Sequence, residues 1–481
     1  MASPTPWNPQ ELYDPEAFRR AGHETVDLLA DYLGDAEARG MDVLPSAGPE
    51  AALERWPPAG SPMPLDEILR RVVAESSHQH HPGYVGQQMS APLPLTALTA
   101  FTAALLNNST AIFQGAPVGT VLEKRVVAWM SSAVGYGDEA GGVLVSGGSL
   151  GNLTALLAAR QLRLEGDVWL DGIAADGARG RPAILVSSEA HYSVGRAAGI
   201  MGLGEAATIP VSVDDDFRMT PDGLEAALAQ ARTRGRTPFA LVGNACSTAT
   251  GAVDDLGMLA DFSREHGLWL HVDAAHGGSA LLSPRLRPRL AGIERADSVV
   301  WDAHKMMLMP GVVTGVLFRR GEDADRVFAQ SADYLLTGEG GSLDLAGRTL
   351  ECTRGMLALP VYTALATVGA PQLGAYVEAM FDLAGTFADR IRERPDLELA
   401  YRPQANMVCF RVRPEAGEDA EALQLQVRRR VNASGRYFIQ HTRLRGVRYL
   451  RTLVITPLTT AGDLAELLDV VEETAAELRG R

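Results

Sequence analysis

Two stretches decide the fold: Leu268-Trp269-Leu270-His271-Val272-Asp273 and Ser298-Val299-Val300-Trp301-Asp302-Ala303-His304-Lys305. Each is a short apolar run that breaks into polar residues at its C-terminal end. Such runs are too short for core helices and suit strands buried on both faces. Runs of the same kind recur on either side, at 142–145, 183–187, 208–210, 240–243 and 313–318. Helical periodicity lies between them, at 150–164, 220–232 and 256–266. The alternation predicts an α/β layer with a mostly parallel seven-stranded sheet. Functional residues are then expected at strand C-termini and at the starts of the helices that follow.

The flanks read differently. Residues 14–75 are helical and amphipathic, with Phe18, Val26, Leu28, Leu29 and Tyr32 at helical spacing. A proline-rich connection covers 44–64, and Leu65, Ile68, Leu69, Val72 and Val73 mark a further helix. After Glu351 the chain is helical to about Arg394. A smaller α+β unit follows, with strands at 405–412, near 437–440 and at 449–455, and helices at 419–432 and 461–479. The expected domains are a helical N-terminal segment at 1–80, a large domain at 81–370 that carries the chemistry, and a small α+β domain at 371–481.

Composition narrows the class. The 481 residues are 46% hydrophobic and 21% charged, ordinary for a globular protein with a large core. Forty-four basic against fifty-nine acidic residues leave a net charge of −15, which argues against a nucleic-acid or anionic-membrane partner. Cys246, Cys352 and Cys409 are too few and too scattered for a disulfide framework or a zinc site. The N-terminus has neither a basic region nor an apolar one, so no secretory signal is expected. No apolar run reaches the roughly 18–20 residues a membrane span needs. A cytoplasmic location is the expectation.

The two opening stretches also carry chemistry. Lys305 follows an apolar strand and precedes Met306-Met307-Leu308-Met309. Burial there would lower its pKa and make it a usable nucleophile. Asp273 closes the other strand, where a carboxylate can face a pyridinium nitrogen. Read alone, it is equally a helix cap. A lysine and an aspartate so placed are what pyridoxal 5′-phosphate (PLP) needs from a protein. Ser146-Gly147-Gly148-Ser149-Leu150-Gly151-Asn152 follows a strand and opens a helix. Its small residues and helix N-terminus suit a phosphate, although such turns are common between strand and helix. His191, just past a strand, can stack on a pyridine ring and exchange protons. The histidines at His78, His80 and His81 have no usual metal-site spacing, so no metal is expected.

The order phosphate loop, histidine, aspartate, lysine is more specific than any one piece. It resembles the group II PLP-dependent amino-acid decarboxylases, of the aromatic-amino-acid, glutamate and 2,4-diaminobutyrate type. The resemblance runs from about Pro82 to Thr460. Its motifs are His81-Pro82, the 146–152 loop, Ala190-His191-Tyr192-Ser193, Ser247-Thr248 before Thr250-Gly251-Ala252-Val253-Asp254, His271-Val272-Asp273-Ala274-Ala275, His304-Lys305, and Leu450-Arg451 before Thr456-Pro457-Leu458-Thr459-Thr460. It implies the aspartate-aminotransferase-like fold type I and a homodimer with shared active sites. By position, Gly148, Ser149 and His304 would hold the phosphate, His191 and Ala275 would sandwich the ring, and Thr248 would lie beside it. Arg451 would bind the substrate α-carboxylate, and Gln87 falls near a substrate-side position. The implied reaction converts an L-amino acid to its primary amine and CO2, through an external aldimine on PLP and a quinonoid.

Two departures stand out. The family usually places a tyrosine on a mobile loop after the lysine to protonate the quinonoid. Here that position holds none, and Tyr334 sits earlier in the loop. Either Tyr334 reaches the site, or His191 protonates, or the carbanion is diverted to oxygen and yields an aldehyde. His276 stands where the family has an aromatic residue; it reads as a pocket acid or, more simply, as a packing residue. Decarboxylation is therefore weighed against oxidative deamination or other lyase chemistry on the same scaffold, and against a non-catalytic dimer. The retained Lys305, Asp273 and His191 disfavour the last. The substrate side chain is not legible, though the lack of a cationic cluster points away from glutamate.

Overall fold

The computed structural model describes residues 8–45, 48–173, 180–328 and 340–481. Packing divides the chain into two units. One comprises Met1–Gln87, Val412–Leu450 and Thr456–Arg481, and the other Gln88–Arg411 and Arg451–Ile455.

The second unit is built on a seven-stranded sheet of β1 (Gly141–Val145), β2 (Arg181–Ser187), β3 (Thr208–Val211), β4 (Arg236–Asn244), β5 (Trp269–Asp273), β6 (Ser298–Asp302) and β7 (Thr314–Phe318). The order is β1-β7-β6-β5-β4-β2-β3. Neighbours are parallel except at β7, which runs antiparallel to β1 and β6. All seven predicted strands form. β5, β6 and β7 are buried at every residue, which explains why they read as unbroken apolar runs. The reversal at β7 follows from its connection: residues 303–313 turn straight back with no crossover helix.

The helices between the strands are α1 (Gly148–Arg163), α2 (Ser193–Ile200), α3 (Pro221–Thr233) and α4 (Leu256–His266). The Thr220 hydroxyl caps α3 by accepting from Gly223 N, and Asp255 caps α4 by accepting from Met258 N. α1 buries Leu153, Leu156 and a row of alanines against the sheet. Each such leucine contributes on the order of 1.5–3 kcal/mol. A buried ion pair also holds β1. Arg354 Nη2 lies 2.9 Å from Glu123 Oε1, with both side chains 1% exposed. Glu123 accepts from Leu144 N and Arg354 Nη1 donates to Leu144 O, so the pair grips β1 from both of its backbone groups.

The first unit holds helices Pro15–Glu37, Pro49–Arg55, Leu65–Ala74, Ala420–Ala433 and Ala461–Leu478. One expectation is corrected there. The strand placed near 437–440 begins later, at Gln440–Leu444. Phe438 instead bonds across to residues 83–85, donating from N to Gly83 O and accepting from Val85 N, with its ring against Tyr84 at 5.4 Å. Those partners are remote in sequence, so local β-propensity misplaced the strand by a few residues.

Candidate active site

The second unit gathers its reactive side chains at one edge of the large sheet. Asp273 ends β5 and Asp302 ends β6, with His304 and Lys305 in the turn that follows. His191 follows β2, Thr248 follows β4, and Gly148 opens α1 just after β1. These strands all end at the same edge, the carboxyl-end crevice where open α/β sheets place their ligands. A cavity of about 170 Å³ there is lined by Gly148, Ser149, His191, Thr248, Asp273, Ala275, His304 and Lys305. Eight residues singled out from the sequence thus meet in one place. Asn152, Cys246, His276 and Asp302 complete the lining.

Lys305 differs from expectation in its charge. Burial lowers its pKa, but the Asp302 and Asp273 carboxylates raise it by more, and the net shift is upward. Lys305 Nζ lies 3.0 Å from Asp302 Oδ2, whose carboxyl is 1% exposed and accepts from Thr314 Oγ1 at 2.5 Å through Oδ1. The sequence reading counted the apolar neighbours and missed the carboxylate three residues before it. The amine is therefore held as an ammonium until a reaction partner takes the proton.

Asp273 is oriented from two sides. Oδ1 accepts from Ala275 N at 3.1 Å, and Oδ2 accepts from Asn152 Nδ2 at 2.8 Å. Asn152 is the hub of a buried network. Its Oδ1 faces His271 Nε2 at 2.9 Å, His271 Nδ1 lies 2.9 Å from Ser298 Oγ, and Trp269 Nε1 donates to that same oxygen at 2.8 Å. The Asn152 amide oxygen only accepts, so His271 donates from Nε2, and in the neutral ring Nδ1 accepts from the Ser298 hydroxyl. Burial, opposed by Asp273, lowers the His271 pKa to about 4, so the ring is neutral.

The other Asn152 bond fixes a second tautomer. Asn152 Nδ2 donates to Ser193 Oγ at 2.8 Å, and Ser193 Oγ lies 2.8 Å from His191 Nδ1. Ser193 N also donates to Nδ1, at 3.3 Å. Nδ1 is thus an acceptor, and the proton of neutral His191 sits on Nε2. Burial lowers the His191 pKa, with Asp273 raising it and Lys305 lowering it. One asparagine therefore orients both Asp273 and His191. Asn152→Ala is expected to lower kcat/KM by roughly 10–100-fold, as loss of an outer orienting partner typically does. A pH–rate profile and a thermal melt check this; a lower melting temperature with unchanged kcat/KM would reduce Asn152 to a structural role.

The end of the cavity at Gly148 and His304 is backbone-rich. Gly147 has φ +102°, and a Cβ on Gly148 would meet the Asp302 carboxylate at 3.0 and 3.1 Å. The first turn of α1 carries no side-chain cap, an arrangement suited to an anion. His304 Nδ1 rests on the Val313 backbone, 3.1 Å from O and 3.2 Å from N. A helix N-terminus, a primary amine and an oriented carboxylate around one cavity match the three polar ends of PLP. Cys246 is no competing nucleophile: burial pushes its thiol up to about 12.

Arg451 and Gln87 are not among the lining residues. Arg451 is 8% exposed and its Nη2 donates to Thr248 O at 2.7 Å, beside the cavity but not among its lining residues. Gln87 is exposed at the end of the first unit. Tyr334 lies outside the described residues. The sequence reading assigned no role to Asn152, Ser193, His271 or Asp302, although each sits inside a quoted motif. Their partners are up to 121 residues away, and only polarity within a buried run hinted at them.

Comparison with known proteins agrees with the geometry. Residues 61–413 match the pyridoxal-dependent decarboxylase conserved domain. The chain is 31% identical over 459 residues to aspartate 1-decarboxylase of Aliivibrio fischeri, covering 85% of this chain and 82% of that one. It is 30% identical over 480 residues to L-2,4-diaminobutyrate decarboxylase of Rhizobium meliloti, covering 96% and 92%. The crystal structure of mouse CSAD superposes with a TM-score of 0.89 at 27% identity, covering 96% of this chain and 99% of that one.

Proposed function

The chain belongs to the pyridoxal-dependent decarboxylase family, as a PLP-dependent carboxy-lyase of fold type I acting on an amino acid, and we propose that Lys305 anchors its cofactor, Asp273 meets the ring nitrogen, and Gly148, Ser149 and His304 receive the phosphate. When bound, the cofactor supplies a sink for the electrons left at Cα as CO2 departs. The protein's part is orientation and proton handling. Asp273, fixed by Asn152 and Ala275 N, keeps a proton on the ring nitrogen. His191 and Ala275 bracket the ring, with Thr248 beside it. His191 offers the proton on Nε2, because Nδ1 is already an acceptor. We assign that proton to the carbon that has lost CO2, with Tyr334 as the other candidate donor. Arg451 receives the substrate α-carboxylate, supported by its place behind Thr248, and Gln87 takes a substrate-side position on the resemblance alone.

A homodimer with shared sites is part of the reading. Leu95 is 60% exposed, Leu98 50%, Phe101 51%, Leu105 64% and Val118 64%, on helices Pro94–Leu106 and Pro117–Val134. An apolar patch of this kind is usually covered by a partner. A cytoplasmic location is supported by the three cysteines, all free. No described helix is long and apolar enough to cross a membrane.

The observation that carries the proposal is the convergence of Lys305, Asp273 and His191 on one cavity at the strand ends. The test is incubation of the dimer fraction with the common amino acids, dopa and 2,4-diaminobutyrate, with and without air, scoring CO2, amine, aldehyde and peroxide. Equal CO2 and amine, independent of oxygen, are expected. Aldehyde with peroxide only in air would contradict simple decarboxylation, and an active monomer would contradict the shared site.

A further inference from the structure

His276 lines the same cavity, 2% exposed, directly after Ala275. Its Nε2 lies 2.7 Å from Asn406 Oδ1. Asn406 settles which ring nitrogen carries the proton. Its Nδ2 donates to the Val454 carbonyl at 2.9 Å and reaches Met306 Sδ at 3.2 Å. A carbonyl only accepts, so the amide nitrogen must face Val454 and the amide oxygen must face the ring. Nε2 therefore donates, and in the neutral ring Nδ1 is a bare lone pair. That nitrogen is buried and has no hydrogen-bond partner among the described residues. Burial, with Lys305 and Arg451 nearby, holds the ring's pKa down to about 3. His276 is thus no pocket acid: it has no spare proton to give at Nδ1. A ring that merely packs would not need one edge tied to an asparagine and the other left as an unmet acceptor, because buried polar atoms normally find partners.

We propose that His276 Nδ1 accepts a hydrogen bond from an O–H or N–H group of the molecule bound in this cavity, which makes it a ligand-binding residue. The inference rests on the cofactor reading above. The donor has two sources, the phenolic hydroxyl of PLP or a donor on the amino acid, and they separate by experiment. Two variants divide the roles. His276→Phe keeps an aromatic ring and loses the acceptor. His276→Gln keeps an N–H for Asn406 and a carbonyl to accept.

The measurements are equilibrium binding of PLP and of 3-deoxypyridoxal phosphate to the apoprotein by absorbance, and KM for amino-acid pairs with and without a side-chain donor. Tyrosine with phenylalanine is one pair, and 2,4-diaminobutyrate with 2-aminobutyrate another. His276→Phe is expected to weaken the donor-bearing member of one series by about three- to tenfold, leave its donor-less partner unchanged, and be rescued to within about twofold by His276→Gln. A difference confined to the cofactor series names the phenol as donor, and one confined to the amino acids names the side chain. The proposal is overturned if His276→Phe matches wild type in both series, weakens both members of a pair equally, or preserves binding that His276→Gln loses. Wild-type protein that binds no PLP overturns the parent reading, and this inference with it, before any variant is made.

Discussion

Lys305→Ala is expected to lose turnover by roughly a thousandfold or more, the scale on which removal of a covalent nucleophile is felt. The visible absorbance of the lysine-bound cofactor should vanish with it. The alanine variant also removes the cation 3.0 Å from buried Asp302, and breaking such a pair destabilises a fold on its own account. Lys305→Arg separates the two effects. A guanidinium keeps the charge beside Asp302 but cannot form the covalent bond, so it should fold as wild type and remain inactive. Steady-state kinetics with a circular-dichroism melt check both. An arginine variant with more than a few per cent of wild-type activity would remove Lys305 from the reaction.

Asp273→Asn carries the second large effect, a loss in kcat of about 10²–10³-fold, comparable to deleting one preorganised electrostatic partner. The reason lies in the donors that converge on this side chain. Asn152 Nδ2 and Ala275 N each donate to one carboxylate oxygen. An amide has one oxygen and cannot accept from both in that arrangement, so either Asn152 or Ala275 loses its acceptor. The amide also lacks the charge that keeps a ring nitrogen protonated. A fall in kcat with little change in cofactor affinity is the expected split, measured by single-turnover kinetics and cofactor titration. Wild-type kcat in this variant would show that the ring nitrogen does not depend on Asp273.

Much of this was legible in the chain. The strands at 269–273 and 298–302 were readable to the residue because both faces are buried, so every position had to be apolar or paired. The helix 256–266 was equally plain, and the structure caps it with Asp255 and ends it at Gly267. Strand direction was not: the return of β7 depends on a connection without a helix, which no local pattern announces. The candidate site divided along the same line. Lys305, Asp273 and His191 stand at strand ends, where topology alone brings them together. The Asn152 network joins residues on α1, β5, β6 and α2, and hydrogen bonds between remote positions leave no periodic trace. The charge of Lys305 was misread for a related reason. Its apolar neighbours in sequence were visible, whereas the Asp302 carboxylate acts through the geometry of the turn.

The central claim is that Lys305 holds the cofactor in this cavity. Borohydride reduction of the purified protein, followed by proteolysis and mass spectrometry, tests it most directly. A pyridoxyl-phosphate adduct on the peptide carrying Lys305, and none on Lys124, the other lysine of the sequence, is the predicted result. Label on Lys124, or no label on protein that nonetheless releases CO2 from an amino acid, would contradict the account.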